Sequence, residues 1–180
     1  MKQLEELAAL LRRRNEIDEK IAAHLHRPAL NGHIGEFVAS EVFGIRLADS
    51  ATQRGFDGHF EAGPLAGKSV DVKYYGKQEG ILDLPAHGDY PDFYLVLAGP
   101  LSAPGSSRGG TRPFVIDAAF LFESATLIPA LRERGIRLGT ATSVAKAFWR
   151  DALVYPKARS PHLTLSTEQM VALDAFRQLG

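Results

Sequence analysis

The chain has 180 residues, 45% of them hydrophobic, a length that suits one domain with a single sizeable core. It has no cysteine, which excludes disulfides, thiolate catalysis and Cys-bound zinc, and its 21 Lys/Arg are balanced by 21 Asp/Glu. No apolar run approaches the roughly 20 residues that span a bilayer. The charged start Met1-Lys2-Gln3-Leu4-Glu5-Glu6 lacks the apolar stretch of a signal peptide, so a cytoplasmic protein without a membrane partner is expected.

Residues Lys2 to His26 read as a helix, because Leu4, Leu7, Leu11 and then Ile17, Ile21, Leu25 recur at helical spacing with charges between them. Arg27-Pro28 ends it, since the residue before a proline disfavours the α region. Arg14 and Asp18 interrupt the stripe, which argues against a coiled coil. The expectation is an N-terminal helical extension over residues 1–28, packed on its own domain, with a dimer contact as the lesser option. Residues 29–180 are expected to form one domain.

Asn31 is expected to cap a second helix running to Phe43, with Ile34, Phe37, Val38 and Val42 as its apolar face and Gly44 as its stop. After a short extended piece, Ile45 to Leu47, two strand-like segments follow: Phe56 to Glu61 and Lys68 to Tyr75, joined by Ala62-Gly63-Pro64-Leu65-Ala66-Gly67. Asp92 to Ala98 is apolar enough to be a strand buried on both faces. Gly99 to Thr111, rich in Gly, Ser and Pro, reads as a mobile loop. Phe114-Val115-Ile116 reads as a short strand, followed by a helix from Ala118 to Arg134 and a further one from Ser143 to Arg150. Ser166, with Gln169 three residues on, forms a capping box for the last helix.

Several apparent motifs fail on physical grounds. Gly63-Pro-Leu-Ala-Gly67-Lys68-Ser69 has three residues between its glycines where a P-loop needs four, and a strand pattern follows it instead of a helix. The six histidines show no metal-ligand spacing, and His24 and His26 point different ways on a helix. No GxSxG nucleophile elbow is present.

One group of residues does carry chemistry. In Val70-Asp71-Val72-Lys73-Tyr74 the strand alternation puts Asp71 and Lys73 on one face, about 6 to 7 Å apart along the backbone. Asp57 lies between small neighbours in Gly55-Phe56-Asp57-Gly58, and pairing of the two strands as a hairpin would bring both aspartates together. Glu36 sits on the second helix beside Ala39 and Ser40, which leave room for a close neighbour. Taken singly these are a solvated helix glutamate, a turn aspartate and the wet face of a strand. The functional reading comes from four suitable residues in one order on suitable elements.

That order, Gly35-Glu36-Phe37-Val38-Ala39, then Gly55-Phe56-Asp57-Gly58, then Val70-Asp71-Val72-Lys73-Tyr74 and a hydrophobic third strand, resembles the PD-(D/E)XK nuclease superfamily. The resemblance covers Asn31 to Ala98; Phe56 stands where the motif has proline. It implies a restriction-endonuclease-like α/β fold (mixed α+β) with an αβββαβ core, a central mixed sheet flanked by helices. It also implies a metal-dependent nuclease in which Asp57 and Asp71, with the carbonyl of Val72, bind one or two Mg²⁺ (or Mn²⁺) ions, and Glu36 holds a water or a second ion. Lys73 would position the water and stabilise charge rather than act as base, because neighbouring carboxylates push its pKa up from about 10.4. Arg54, Lys68, Lys77, Arg108 and Arg112 are candidate phosphate contacts, none preferred. The implied partner is nucleic acid, with DNA expected; cutting two strands would call for a homodimer or a partner protein.

The uneven charge is read either as an acidic metal-binding half beside a basic half that meets phosphates or as nothing, since sequence segments are not surface patches. Leu30 to Pro100 holds 5 Lys/Arg against 10 Asp/Glu, whereas Leu101 to Arg159 holds 9 against 4. Two other readings stay open: a catalytically inactive nucleic-acid-binding or assembly module of the same fold, and an interaction protein that dimerises through Leu4, Leu7 and Leu11.

Overall fold

The computed structural model describes residues 2–48, 55–101 and 113–177. Arg54, Arg108, Arg112 and most of the Gly/Ser/Pro-rich loop lie outside the described residues. Among those described, the chain is mixed α/β, with five α-helices and a six-stranded mixed sheet.

The first helix, α1 (Lys2–Leu25), stops where Pro28 requires, with His26 turning into the left-handed region at φ 54°. It buries none of its residues. Only its last turns meet the domain: Ile21 and Leu25 are half-buried, and the His24 ring lies edge-on to Phe37 at 5.8 Å. Packing of the whole stripe on its own domain is therefore not what forms. Leu4, Leu7 and Leu11 stay 67%, 51% and 46% exposed, with no cover among the described residues.

Helix α2 (Asn31–Phe43) starts one residue earlier than expected. Leu30 is its N-cap and makes no side-chain cap, so Asn31 lies inside the first turn, which closes through Ile34 N–H donating to Leu30 O (2.9 Å). Gly44 ends it in the left-handed conformation. Strands β1 (Ile45–Leu47), β2 (Gly58–Phe60) and β3 (Ser69–Tyr75) form an antiparallel meander. Gly58 is needed there: a Cβ would stand 2.4 Å from the Arg46 carbonyl oxygen across the β1–β2 pair. The lead into β3 is a 3₁₀ turn (Gly63–Leu65), and no helix follows it, as rejection of a phosphate loop requires.

The connection after β3 carries a two-residue strand, β4 (Ile81–Leu82), and no helix, and leads to β5 (Phe93–Ala98) lying parallel to β3. β5 is buried at all six positions. Strand β6 (Ala118–Glu123) pairs antiparallel with β5 along its length, and helix α3 (Ser124–Glu133) follows. A helix beginning at Ala118 and a strand at Phe114 to Ile116 are thus both corrected. Ala-Ala-Phe-Leu-Phe suits a helix locally, but its two alternating faces are buried in separate layers. The Phe114 to Ile116 segment satisfies its backbone elsewhere, Val115 N–H on the Tyr74 hydroxyl (3.0 Å) and Ile116 N–H on Phe176 O (2.9 Å).

Beyond α3, strand β7 (Thr142–Ser143) pairs with β4, helix α4 spans Lys146–Ala152, and β8 (Leu153–Tyr155) completes the sheet beside β6. The expected helix over Ser143 to Arg150 is shifted by three residues at its start. The last helix, α5 (Thr167–Asp174), has the expected Ser166–Gln169 capping box, and Gln169 also donates to Val42 O (2.7 Å), tying α5 to the end of α2.

The sheet order is β1-β2-β3-β5-β6-β8, with apolar layers on both faces. One layer joins Val38, Ala39 and Val42 of α2 and Leu173 of α5 to Val70, Val72, Leu95 and Leu121. The other joins Tyr94, Val96, Phe120 and Phe122 to α3 and α4 through Leu127, Leu131 and Ala152. No helix among the described residues is long and apolar enough to cross a membrane.

Candidate active site

The alternation in β3 decides which side chains meet. Val70, Val72 and Tyr74 face the α2 layer, and Asp71, Lys73 and Tyr75 face the other. Lys73 Nζ lies 2.7 Å from Asp71 Oδ1, with side chains 28% and 15% exposed. Asp71 Oδ1 is sealed from solvent, with the Lys73 ammonium against it and the Asp57 carboxylate beside the same group.

Asp57 enters from the residue before β2. Its backbone N–H donates to Val70 O (2.9 Å), extending the β2–β3 ladder by one bond, and its Oδ2 accepts from Val72 N–H (2.7 Å). The carboxylate therefore takes the place of the next strand residue along the edge of β3. The amide and carbonyl of a strand residue point to the same edge, so the Val72 carbonyl is on the side that Asp57 occupies.

The pair is electrostatically strained. Burial raises the Asp71 carboxyl to about 6, against the opposing pull of Lys73, and the neighbouring Asp57 carboxylate raises it further. Tyr94 and Tyr75 stand on the same face. Burial raises both phenols, and the Asp71 charge adds to it. The Tyr94 hydroxyl has no hydrogen-bond partner among the described residues, while Tyr75 accepts from Asp83 N–H (2.8 Å). Sequence reading missed Tyr94, because only the parallel register that sets it opposite Asp71 gives it meaning.

Glu36 is placed differently. Its helix packs on the other face of β3, where a side chain at Gly35 would meet the Tyr74 Cβ at 3.0 Å, and its carboxylate is ion-paired with Arg27. The structure thus joins Asp57, Asp71, Lys73 and the Val72 backbone, and gives Glu36 a partner outside that group. Of the described basic candidates, Lys68 pairs with Asp92 (3.1 Å) and Lys77 with Glu79. A cavity of about 540 Å³ opens at the start of β3, lined by Lys68, Ser69, Tyr90, Asp92, Ser124 and Arg132 among others, and does not include Asp57, Asp71 or Lys73.

Among the described residues no cluster of three or more His, Asp or Glu is gathered for a metal ion. Two carboxylates and a carbonyl still suit Mg²⁺, which binds through one or two carboxylates and keeps several waters. Two adjacent carboxylates, one of them sealed from solvent and raised by burial, are chemically compatible with such an ion. The chain matches no model of a known protein family and no curated protein.

Proposed function

We propose that the chain is a metal-dependent nuclease of the PD-(D/E)XK type, hydrolysing phosphodiester bonds of nucleic acid, with DNA the expected substrate. The observation that carries this reading is the half-buried Asp57–Asp71 pair at the edge of β3, with Lys73 2.7 Å from Asp71. The element order α2-β1-β2-β3 supports it as the first four elements of an αβββαβ core, although the link to β5 carries no helix.

Asp57, Asp71 and the Val72 carbonyl would hold Mg²⁺ or Mn²⁺. When bound, such an ion supplies an acidified water and neutralises charge developing on phosphate. The Val72 amide donates to Asp57 Oδ2, which orients that carboxylate beside Asp71. Lys73, 2.7 Å from Asp71, would hold the attacking water and stabilise charge on the phosphate. Glu36 would join only if its Arg27 pairing gave way, and that pairing is the one observation favouring the second reading, an inactive nucleic-acid-binding module.

The test is a cleavage assay on supercoiled plasmid and labelled single strands with Mg²⁺, Mn²⁺ or EDTA. Metal-dependent cutting by the wild type and loss in Asp71→Ala is expected. Cutting that persists in EDTA or in Asp71→Ala contradicts the site. Binding of nucleic acid without cutting under every metal condition favours the second reading.

A further inference from the structure

None of the 24 residues of α1 is fully buried, yet they carry an apolar stripe along most of their length. Leu4, Leu11, Asp18 and Leu25 are spaced by seven, as are Leu7, Arg14 and Ile21, so the stripe has the a/d pattern of a coiled-coil seam. Leu10 and Ile17 widen it on one flank and are 62% and 56% exposed; Ala8 and Ala22 lie on the other. Arg14 and Asp18 sit in the middle of the seam, paired with each other at 3.4 Å and well exposed.

Those two charges interrupt an isolated helix but complete a symmetric pair. We propose that α1 docks antiparallel on α1 of a second copy of this chain, across a two-fold axis level with Glu16. In that register Leu7 meets Leu25 of the other copy, Leu11 meets Ile21, and Arg14 meets Asp18, each contact occurring twice. Ile17 meets its own copy at the axis. A parallel pairing in register would set Arg14 against Arg14 and Asp18 against Asp18, so the central charges select orientation and register, the established use of a polar seam residue.

Charge also argues against a lipid surface as the occupant. Helix α1 has five Lys/Arg and five Asp/Glu, without the basic excess of a membrane-surface helix, and charged Arg14 and Asp18 lie within its apolar face. The stripe is longest where it is bare, at Leu4 to Ile17, and its other end, at Ile21 and Leu25, is half-buried where His24 meets Phe37 of α2. Each copy would thus offer its bare half to the other's supported half.

Sedimentation of the full chain is expected to give twice its 19.6 kDa. Leu7→Glu with Leu11→Glu should return it to 19.6 kDa. Arg14→Asp should weaken association at least about tenfold by facing like charges twice, and Arg14→Asp with Asp18→Arg should restore it. Orientation is read by disulfide trapping, since the chain has no cysteine of its own. Residues 7 and 25 of one helix are about 27 Å apart and cannot bridge within a copy. Leu7→Cys with Leu25→Cys should therefore trap a covalent dimer, and Leu7→Cys alone should not. A monomer at every concentration, a dimer indifferent to Leu7→Glu with Leu11→Glu, or trapping by Leu7→Cys alone would overturn the proposal.

Discussion

Two aspartates beside β3 sit in opposite circumstances. Asp92, at the start of β5, has its oxygens saturated: Ser69 N–H and hydroxyl donate to Oδ2 (2.8 and 2.9 Å), and Lys68 donates to Oδ1 (3.1 Å). Burial pushes its carboxyl up, but the Ser69 amide, the Lys68 ammonium and the Ser69 hydroxyl outweigh that and hold it below the usual carboxylate range. Asp71, two strand residues beyond Ser69, also has a lysine, yet it is more deeply buried and lies beside Asp57, and its carboxyl rises to about 6. An ion pair that serves the fold satisfies its atoms. A buried carboxylate pushed up with a second carboxylate beside it is the kind of perturbed group on which the proposed function rests.

The largest contrast is expected in catalysis. Asp57→Ala or Asp71→Ala should lower metal-dependent cleavage at least about 10²-fold, whereas Asp92→Ala should leave the cleavage rate of folded protein within a few-fold, as measured by initial rates on plasmid. Equal losses in all three would erase the distinction.

The next contrast is one of sign in stability. Asp71 binds its proton more tightly folded than unfolded, so its contribution favours the folded state at low pH and is lost as pH rises from 3.8 through about 6. Asp71→Asn should therefore stabilise the metal-free protein above pH 6, by at most about 3 kcal/mol at 1.36 kcal/mol per pH unit, with the gain vanishing near pH 4. Asp92 runs the other way: its contribution is present at neutral pH and lost as pH falls below the usual carboxylate range. Asp92→Asn should cost about 1 to 2 kcal/mol at pH 7, since it trades charged hydrogen bonds for amide ones. Urea melts across pH check both, and a destabilising Asp71→Asn would show that its pairing with Lys73 is structural. The smallest effect belongs to α1: Leu7→Glu should shift monomer-domain stability by no more than about 0.5 kcal/mol, as nothing in the domain covers it.

Much of this arrangement was legible in the sequence where a local rule suffices. Pro28 and Gly44 bound their helices, Ser166 and Gln169 cap the last one, and the alternation of Val70 to Lys73 put Asp71 and Lys73 on one face. Features set by distant partners were not. Ala118 to Glu123 has helical composition and becomes a strand because β5 lies beside it and apolar layers cover both faces. Glu36 has the right residue type on the right helix, but Arg27 claims its carboxylate, a pairing that depends on how the α1–α2 turn folds. The stripe of α1 was visible throughout; what it lacks is a surface within its own domain.

The proposed function turns on Asp57 and Asp71 jointly holding a divalent cation. Mn²⁺ binding to the purified chain at pH 7.5, followed by electron paramagnetic resonance beside Asp57→Ala, Asp71→Ala and Asp92→Ala, tests it most directly. Saturable binding that Mg²⁺ displaces is expected, lost in the first two variants and kept in the third. Binding that survives Asp57→Ala and Asp71→Ala, or no binding by the wild-type chain, would contradict it.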